Sequence, residues 1–425
     1  MLQPTLLALT GLGCLASAQV NPTREQSPTP NIYQDSVRYG PEIELVHLYW
    51  DQFPTGITVS REGRKFSNYP GGLDPNNTYN GQNNRYTIAE LFDDDTERPY
   101  PSAEINSPPG GAINYTTSPP SGAGYADYLI GSQSTVIDAA NRLWILDTGR
   151  VQTPSGTLVP ATYGGPKLVG VDLETNQVFQ TILFPQTVAY AESYLNDVRF
   201  DLRPHITESG KGVAYITDSS SAGRNGLITV DLGTEESWRH LDGHPSVTAE
   251  PQFSARVWGV PFYSAGSPHS YSTTGSDGIQ LSADGEELYW KALAGRDLFS
   301  IPTARLRARD ASSELLAQGA VQNHGQTGFS DGLEGDTNGF IYHGDIENHA
   351  VSFFNPANGT DTVLVRDPRL EWTDTLSSGW DGYLYWTSNQ LCWGSGFWPG
   401  EDRRIRPFSL WRAPLPGNAT RALLC

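Results

Sequence analysis

The chain has 425 residues, of which 28 are Lys or Arg and 47 are Asp or Glu, so its formal net charge at pH 7 is −19. A chain this acidic disfavours nucleic acid and anionic membranes as partners, because both attract Lys and Arg. A chain of this length usually forms two or more domains unless it is built from repeats.

The N-terminus predicts export from the cell. An apolar run over residues 6–15 ends in Ala16-Ser17-Ala18, the pattern of small residues that signal peptidase accepts. We therefore expect a signal peptide at 1–18, a flexible arm at 19–40 and a secreted, extracellular protein. No later segment approaches the roughly 20 apolar residues that span a bilayer.

Export leads to two further predictions. Four Asn-x-Thr sequons predict N-linked glycans on surface loops, and they begin at Asn76, Asn114, Asn358 and Asn418. Cleavage of the signal peptide removes Cys14 and leaves Cys392 and Cys425. In an oxidising compartment, such an even pair predicts one disulfide that fixes the C-terminus.

One short pattern recurs along the chain and indicates the architecture. It consists of a polar residue, an apolar alternation, a tight turn ending in Gly or Asn, and an apolar-aromatic pair. The six copies begin at Thr55, Gln133, Asn196-Asp197, Asp277, Asp331 and Asp374. Their turn residues are Gly63, Asn141, Gly212, Gly285, Gly339 and Gly382. In the last three copies the turn Gly follows the Asp by eight positions.

Each copy predicts a strand, a hairpin turn and a second strand, because Asp-Gly and Asn-Gly adopt the positive φ angles of tight turns. Further apolar alternations supply third and fourth strands. The predicted fold is all-β, a single six-bladed β-propeller over residues 41–425 with a central channel. The predicted blades cover approximately 41–100, 125–185, 194–242, 255–308, 328–367 and 371–415. Two long loops, 101–124 and 259–275, are either lids over a site or mobile decoration.

The recurring Asp marks the candidate site. In a propeller the innermost strand of every blade begins beside the axis, so equivalent residues ring one mouth of the channel. The candidate catalytic residues are therefore Asp331, Asp277, Asp374 and Asp197. Converging carboxylates either share protons at raised pKa values or hold a hard cation such as calcium. The structural alternative is that each Asp caps its own hairpin by accepting backbone amides.

The run 136–149 resembles the signature of the major royal jelly and yellow proteins. Similar runs follow at 214–219, 226–232, 237–239, 244–245, 278–282 and 348–351. The resemblance covers about residues 125–415 and indicates a secreted member of fungal or microbial type. It implies a propeller whose channel accepts small aromatic or amine ligands, and it places Asn348 at a ligand-contacting position.

Aromatic residues on the second strands are a further part of the candidate site. Most of them are expected to pack between blades, while one or two line the channel and stack on a planar ligand. We take Trp144, Tyr342 and Trp386 as the ligand-stacking candidates.

Two classes of function fit these features. The first is a cofactor-independent enzyme that isomerises, tautomerises or cyclises a small oxidised aromatic, quinonoid or polyketide-like molecule in the channel. The second is a binding protein that sequesters such a ligand, and a calcium-dependent, lactonase-like hydrolase is a third alternative. In each case we expect a monomer with a small aromatic partner. No cofactor is expected to be required, although the carboxylates suit calcium.

Overall fold

The computed structural model describes residues 37–81 and 85–425. The signal peptide predicted at 1–18 and most of the arm predicted at 19–40 lie outside the described residues. Within the described residues, six four-stranded antiparallel sheets form the blades, and two two-stranded hairpins are added to them. Helical structure is confined to short segments between strands.

Each blade begins with an innermost strand at the channel and ends with an outermost strand. In that order, blade 1 contains Gly56–Val59, Lys65–Asn68, Ile88–Leu91 and Glu97–Pro99. Blade 2 contains Ser132–Ile137, Leu143–Thr148, Pro166–Asp172 and Gln177–Leu183. Blade 3 contains Leu195–Asp201, Val213–Asp218, Gly226–Asp231 and Ser237–His240.

Blades 4 to 6 repeat this order. Blade 4 contains Ser276–Leu281, Glu287–Ala292, Asp297–Pro302 and Gln322–Gln326. Blade 5 contains Leu333–Gly335, Ile341–Asp345, Ala350–Asn355 and Thr360–Arg366. Blade 6 contains Thr373–Ser378, Tyr383–Ser388, Phe408–Pro414 and Glu44–Tyr49.

The remaining elements connect the blades or their strands. The hairpins pair Ile113–Asn114 with Ser121–Gly122 and Arg256–Val257 with Val260–Pro261. The α-helices are Thr303–Arg307 and Ser313–Ala320. Single 3₁₀ turns lie at Pro75–Thr78, Pro204–Ile206, Ile346–Asn348, Leu391–Trp393 and Pro416–Asn418.

The six inner strands form a closed ring, because each one contacts the inner strands of the blades before and after it, and blade 6 contacts blade 1. All six predicted turn residues adopt positive φ angles, between 59° at Asn141 and 83° at Gly63. The predicted all-β, six-bladed propeller is therefore confirmed.

The last blade takes its outer strand from the start of the described chain. Glu44–Tyr49 pairs antiparallel with Phe408–Pro414, and Tyr49 lies opposite Phe408. The blade predicted at 41–100 included this strand, which the structure places in blade 6 instead. A sheet that joins both ends of the chain closes the ring, so separating the two ends costs a full set of strand pairing.

Blade 4 extends beyond the limit of 308 expected from the sequence. Its third strand is followed by the two α-helices, and only then does Gln322–Gln326 return to the sheet. A sequence pattern that expects short turns between strands does not predict this fourth strand, because two helices separate it from the third.

Apolar side chains fill the spaces between neighbouring blades. Trp144 of blade 2 stacks on Phe200 of blade 3 with ring centroids 5.2 Å apart. Between blades 6 and 1, Tyr49 packs with Ile57 and Phe408, and its hydroxyl lies 2.7 Å from Ser67 Oγ. The core is therefore a ring of six interfaces around the channel.

Tyr49 provides a test of this closure. We expect Tyr49→Ala to lower the free energy of unfolding by ~3–5 kcal/mol, because it leaves a large cavity where the two ends of the chain meet. Leu45→Ala on the same strand is the control, since Leu45 is 50% exposed, and it should change stability by less than ~1 kcal/mol. Guanidinium denaturation measures both, and equal losses would contradict the closure.

The predicted disulfide is wrong, because Cys392 and Cys425 are both free thiols in the structure. The neighbour of the first, Leu391, lines the channel mouth where the inner strands begin. The neighbour of the second, Leu424, lines the opposite end. The C-terminal segment thus runs to the far side of the channel, beyond the reach of a disulfide.

The two thiols should react differently with iodoacetamide. Cys425 is exposed and should be alkylated in the native protein, without reductant. Cys392 should react only after unfolding, because burial raises the pKa of its thiol far above the usual value. Peptide mass mapping distinguishes the sites, and a Cys392 that resists alkylation in unreduced, unfolded protein would restore the disulfide.

Candidate functional site

A cavity opens at the channel mouth where the inner strands begin. It contains about 630 Å³ of empty space, part of it continuous with solvent. Its polar lining is provided by Gln133, Arg150, Tyr194, Asn196, Ser219, Ser221, Thr274, Asp277, Asp331 and Asp374. Its apolar lining is provided by Leu73, Leu158, Leu293, Leu391 and Phe397, with Gly72 at the edge. Three of the four predicted aspartates therefore share one cavity.

Close approach of neighbouring inner strands brings these aspartates together. A Cβ atom on Gly278 would lie 2.6 Å from the backbone oxygen of Asp331, and one on Gly332 would lie 2.6 Å from the backbone oxygen of Asp374. The amide of Gly332 donates to that same oxygen of Asp374 at 3.1 Å. The Gly that follows the Asp in blades 4 and 5 is thus required because the next strand occupies its side-chain space.

Irregular pairing directs the carboxyl groups into the channel. Strand pairing shifts register between Ser276 and Ile279 in blade 4 and between Thr373 and Leu376 in blade 6. Asp277 and Asp374 lie within these bulges, so they do not follow the regular alternation of the sheet. In blade 5, Asp331 lies just before the strand begins.

Each buried carboxyl group accepts one hydrogen bond from a nitrogen donor beside it. Asp277 accepts from Asn196 Nδ2 at 2.7 Å, Asp331 from Trp372 Nε1 at 2.6 Å, and Asp374 from Asn389 Nδ2 at 2.6 Å. These donors hold one oxygen of each carboxyl group. The structural alternative was that each Asp caps its own hairpin. Among the described residues, no backbone amide of these hairpins donates to Asp277, Asp331 or Asp374.

The three carboxyl groups differ in acidity. Burial, followed by the charges of Asp331 and Asp374, holds the pKa of Asp277 well above its usual range. Burial and then the charge of Asp331 do the same to the pKa of Asp374. Burial raises the pKa of Asp331 only to about 6, because hydrogen bonds from Trp372, Asp277 and Asp374 favour its charged form. Asp331 is therefore the first of the three to ionise.

Asp197 is separated from this group. Its Oδ1 accepts from Ser134 Oγ at 2.9 Å and pairs with Arg199 Nη1 at 2.9 Å. Burial raises the pKa of Asp197, and the neighbouring guanidinium acts against that shift. Its side chain belongs to the channel interior rather than to the cavity lining, so the predicted ring of four comprises three cavity residues and one paired residue.

The predicted stacking residues do not line the cavity. Trp144 donates from Nε1 to Asp138 at 2.8 Å and packs between blades 2 and 3. Tyr342 donates to Asp336 at 2.7 Å, and it packs with Trp386 between blades 5 and 6. Their assignment as ligand-stacking residues is corrected, because second strands lie one layer outside the channel wall.

Asn348 also lies outside the cavity. It is exposed in the 3₁₀ turn of blade 5, and its Nδ2 donates to Asp345 Oδ2 at 2.8 Å. Of the two long loops, 259–275 reaches the cavity through Thr274, whereas 101–124 does not contribute to its lining. The predicted glycan acceptors Asn76, Asn358 and Asn418 are exposed and Asn114 is half-buried; glycosylation itself stays a prediction.

Several cavity residues were not predicted, and two of them, Arg150 and Tyr194, lie outside the repeated pattern. Arg150 follows the second strand of blade 2, and Tyr194 precedes the first strand of blade 3. A Cβ atom on Gly72 would lie 2.4 Å from the hydroxyl of Tyr194, so this glycine makes room for the tyrosine ring. In blade 2, Gln133 occupies the position of the recurring Asp. That position in the repeated pattern could have identified it as a cavity residue.

A Gly-x-Ser-x-Gly sequence occurs at residues 328–332, but its serine does not resemble a nucleophile. Ser330 is fully buried and donates to the backbone oxygen of Gly332 at 3.0 Å. No histidine in the described part of the chain forms a hydrogen bond with its hydroxyl, and the segment leads into a strand rather than a helix.

The cavity does not match a ready-made metal centre. Among residues 37–81 and 85–425, no group of three or more His, Cys, Asp or Glu side chains has the spacing of a metal site. The oxygen donors suit calcium chemically, but each carboxyl group already accepts a nitrogen donor. We therefore derive no step through a metal, and calcium stays a prediction.

The fold and cavity define the class of protein as a six-bladed propeller with a buried acidic pocket at one mouth of its channel. A sequence model of the family described as Major royal jelly protein matches residues 130–393, more than half of the chain. The chain therefore belongs to the major royal jelly protein family, which confirms the resemblance drawn from the run 136–149.

Individual relatives are distant. The chain is 24% identical to Major royal jelly protein 7 of Apis mellifera over 57% of this chain and 52% of that protein. It is 28% identical to Yellow-related salivary protein M10 of Phlebotomus duboscqi over 61% of this chain and 59% of that protein. The matches thus span between half and two thirds of these curated relatives.

Among solved structures, the chain is similar to a gluconolactonase, XC5397 of Xanthomonas campestris. The TM-score is 0.47 at 12% identity, covering 88% of this chain and 89% of that one. A likeness at this level says nothing about activity. In the described part of the chain, no helix is long and apolar enough to cross a membrane.

The raised pKa of Asp331 should appear in the pH dependence of stability. Its folded-state pKa of about 6 exceeds the ordinary value of 3.8, so its contribution to stability is present at low pH and is lost as pH rises from about 4 to 6. This loss is on the order of 3 kcal/mol. Asp331→Asn lacks the ionisable group, and its free energy of unfolding should fall less over that range.

Denaturation at a series of pH values measures this difference. The control is Asp284→Asn, which changes an exposed carboxylate in the turn of blade 4 and should keep the wild-type dependence between pH 4 and 6. Parallel curves for wild type and Asp331→Asn would show that Asp331 titrates normally.

Proposed function

We propose that the protein is a cofactor-independent enzyme that moves protons on a small, oxygenated aromatic or polyketide-like molecule, giving isomerisation, tautomerisation or cyclisation. The single observation that supports this proposal is the acidic group formed by Asp277, Asp331 and Asp374. These carboxyl groups are buried in one cavity and have unequal acidities. Paired acids and bases of this kind can act at the same moment on one substrate.

The proposed reaction begins with Asp331. At pH 6 to 7 its carboxylate removes a proton from a carbon next to a substrate carbonyl. The C–H bond breaks, an O–H bond forms on Asp331, and the electron pair is delocalised as an enolate. Asp277 or Asp374, still protonated, gives a proton to the other end of the conjugated system. The protons then redistribute among the three carboxyl groups, so no oxidant or reductant is consumed.

The remaining lining supports this chemistry. Leu293, Leu391 and Phe397 form an apolar wall on which a planar ring can pack while water is excluded. Removal of water strengthens hydrogen bonds and charges directed at the reacting atoms. A cavity of this kind orients a flexible chain for ring closure as well as for proton transfer.

The cellular setting is part of the proposal. The predicted signal peptide and the four sequons support an extracellular glycoprotein, and the charge of −19 disfavours nucleic acid and anionic membranes as partners. We take the protein to act as a monomer. Sequestration without turnover, and calcium-dependent hydrolysis, are the two competing functions. Deuterium incorporation and calcium removal distinguish both of them from the proposed enzyme.

The test for turnover uses deuterium. Purified protein is incubated in D₂O with a panel of quinonoid and polyketide-like compounds, and each product is analysed by mass spectrometry. A tautomerase should raise product mass by one deuterium per exchanged position, without added cofactor. The rate should increase as Asp331 ionises near pH 6 and decrease at higher pH as the neighbouring acids ionise.

Replacement of the proposed base sharpens this test. Asp331→Asn should lower the rate by 10²–10⁴-fold, while Asp284→Asn should keep the wild-type rate. Binding without deuterium exchange would favour sequestration. Loss of turnover after dialysis against EDTA, restored by Ca²⁺, would favour the calcium-dependent hydrolase. Normal turnover in Asp331→Asn would overturn the proposed role of the acidic group.

A further inference from the structure

A buried arginine lines the cavity without a carboxylate partner. The side chain of Arg150 donates from Nε to the backbone oxygen of Val159 at 2.8 Å, and from Nη1 to those of Glu192 at 2.7 Å and Ser193 at 3.3 Å. Arg150 is only 8% exposed. No Asp or Glu in the described part of the chain forms an ion pair with it, and its Nη2 has no hydrogen-bond partner there.

Other buried cations of this propeller are satisfied by the protein. Lys167, Arg199 and Arg239 form ion pairs with Asp147, Asp197 and Asp218 at 3.3, 2.9 and 2.9 Å. Lys291 and Arg421 form no ion pair with the described residues, but each donates to several protein oxygens and neither lines this cavity. Arg150 is therefore different, because it lines the cavity and keeps one N–H group that has no partner among the described residues.

A second free donor among the described residues lines the same cavity. Tyr194 donates from its hydroxyl to Gln133 Oε1 at 2.9 Å, which leaves Gln133 Nε2 without a partner among the described residues. Gln133 is 7% exposed and lines the cavity. Arg150 donates to the backbone oxygen of Ser193, the residue before Tyr194, and Arg150, Tyr194 and Gln133 all line the same cavity.

These donors lie across the channel from the acidic group. Gln133 begins the inner strand of blade 2 and Tyr194 precedes that of blade 3, whereas the three aspartates belong to blades 4, 5 and 6. One side of the cavity is thus cationic and rich in N–H donors. The opposite side holds carboxyl groups that would repel a negative charge.

We propose that the ligand carries a carboxylate, which binds Arg150 Nη2 and Gln133 Nε2 and thereby directs the opposite end of the molecule toward Asp331. A guanidinium offers planar N–H groups that match the geometry of a carboxylate. A buried cation without a counter-charge is unfavourable, and the ligand supplies that counter-charge. This inference rests on the proposed function for the orientation of the reacting end, but the carboxylate site itself does not.

The experiment compares two probes that differ in one group. Isothermal titration calorimetry at pH 6.5 measures 4-hydroxybenzoate, which carries a carboxylate, and 4-hydroxybenzamide, which is neutral and nearly the same shape. The wild-type protein should bind the carboxylate at least ~10-fold more tightly. Equal affinities, or no binding of 4-hydroxybenzoate at millimolar concentration, would overturn the proposal.

Variants locate the preference. Arg150→Gln should abolish the discrimination between the probes while retaining weak binding of the amide, and Gln133→Leu should reduce it severalfold. Gln133→Leu also covers the case in which Arg150→Gln fails to fold. Arg224→Gln is the control, since Arg224 is 57% exposed on the surface and should leave both affinities unchanged. A carboxylate preference that survives in both cavity variants would contradict the assignment.

One further variant separates this inference from the proposed enzyme. Asp331→Asn should lose turnover but keep or strengthen the carboxylate preference, because it removes a negative charge from the far side. If the wild type shows turnover but no preference for the carboxylate probe, the carboxylate site is contradicted and the proposed enzyme is not. If the wild type prefers the carboxylate probe but shows no turnover, the proposed enzymatic function is contradicted and the carboxylate site is not.

Discussion

The close approach of neighbouring inner strands at Gly278 and Gly332 is the constraint on which the site depends. Each glycine faces the backbone of the next blade at a distance that excludes any Cβ atom. The strands therefore converge at the channel mouth, and the aspartate that precedes each glycine is carried toward its counterpart. Any larger residue at these positions would separate the blades and disperse the acidic group.

Three carboxylates brought this close together would repel one another if all were charged. Their different surroundings shift their pKa values unequally and so reduce this repulsion. Asp331 occupies the middle blade and receives hydrogen bonds from both neighbours and from Trp372, so its charged form is favoured. Burial and that charge oppose the ionisation of Asp277 and Asp374 beside it, which raises the pKa of both carboxyl groups. In the proposed reaction, one residue type thus provides both an acid and a base. The proton-transfer proposal rests on this division.

The repeated pattern in the sequence was sufficient for the fold and for the three aspartates of the cavity, for a physical reason. Turn residues such as Gly285 and the Asp-Gly pairs are dictated by local backbone geometry, which recurs in every blade. Trp144 and Arg150 are not dictated in this way. The sequence pattern around an aromatic residue on a second strand is the same whether the ring faces a ligand or the next blade. Arg150 lies in a loop, and only tertiary packing places that loop at the cavity. The disulfide between Cys392 and Cys425 failed similarly, because sequence does not show at which end of the channel each thiol lies.

Two arginines, Arg199 and Arg421, line the opposite end of the channel. Arg199 crosses the channel interior, where it pairs with Asp197 at 2.9 Å and donates to Gln280 Oε1 at 2.6 Å. Below it, Arg421 of the C-terminal segment donates to the backbone oxygens of Ile137 and Ser378. The guanidinium groups of these two arginines bind protein oxygens and connect the blades. Arg150, at the open end, keeps an N–H group that has no partner among the described residues. In our proposal, one end of the channel therefore serves structural support and the other serves ligand recognition.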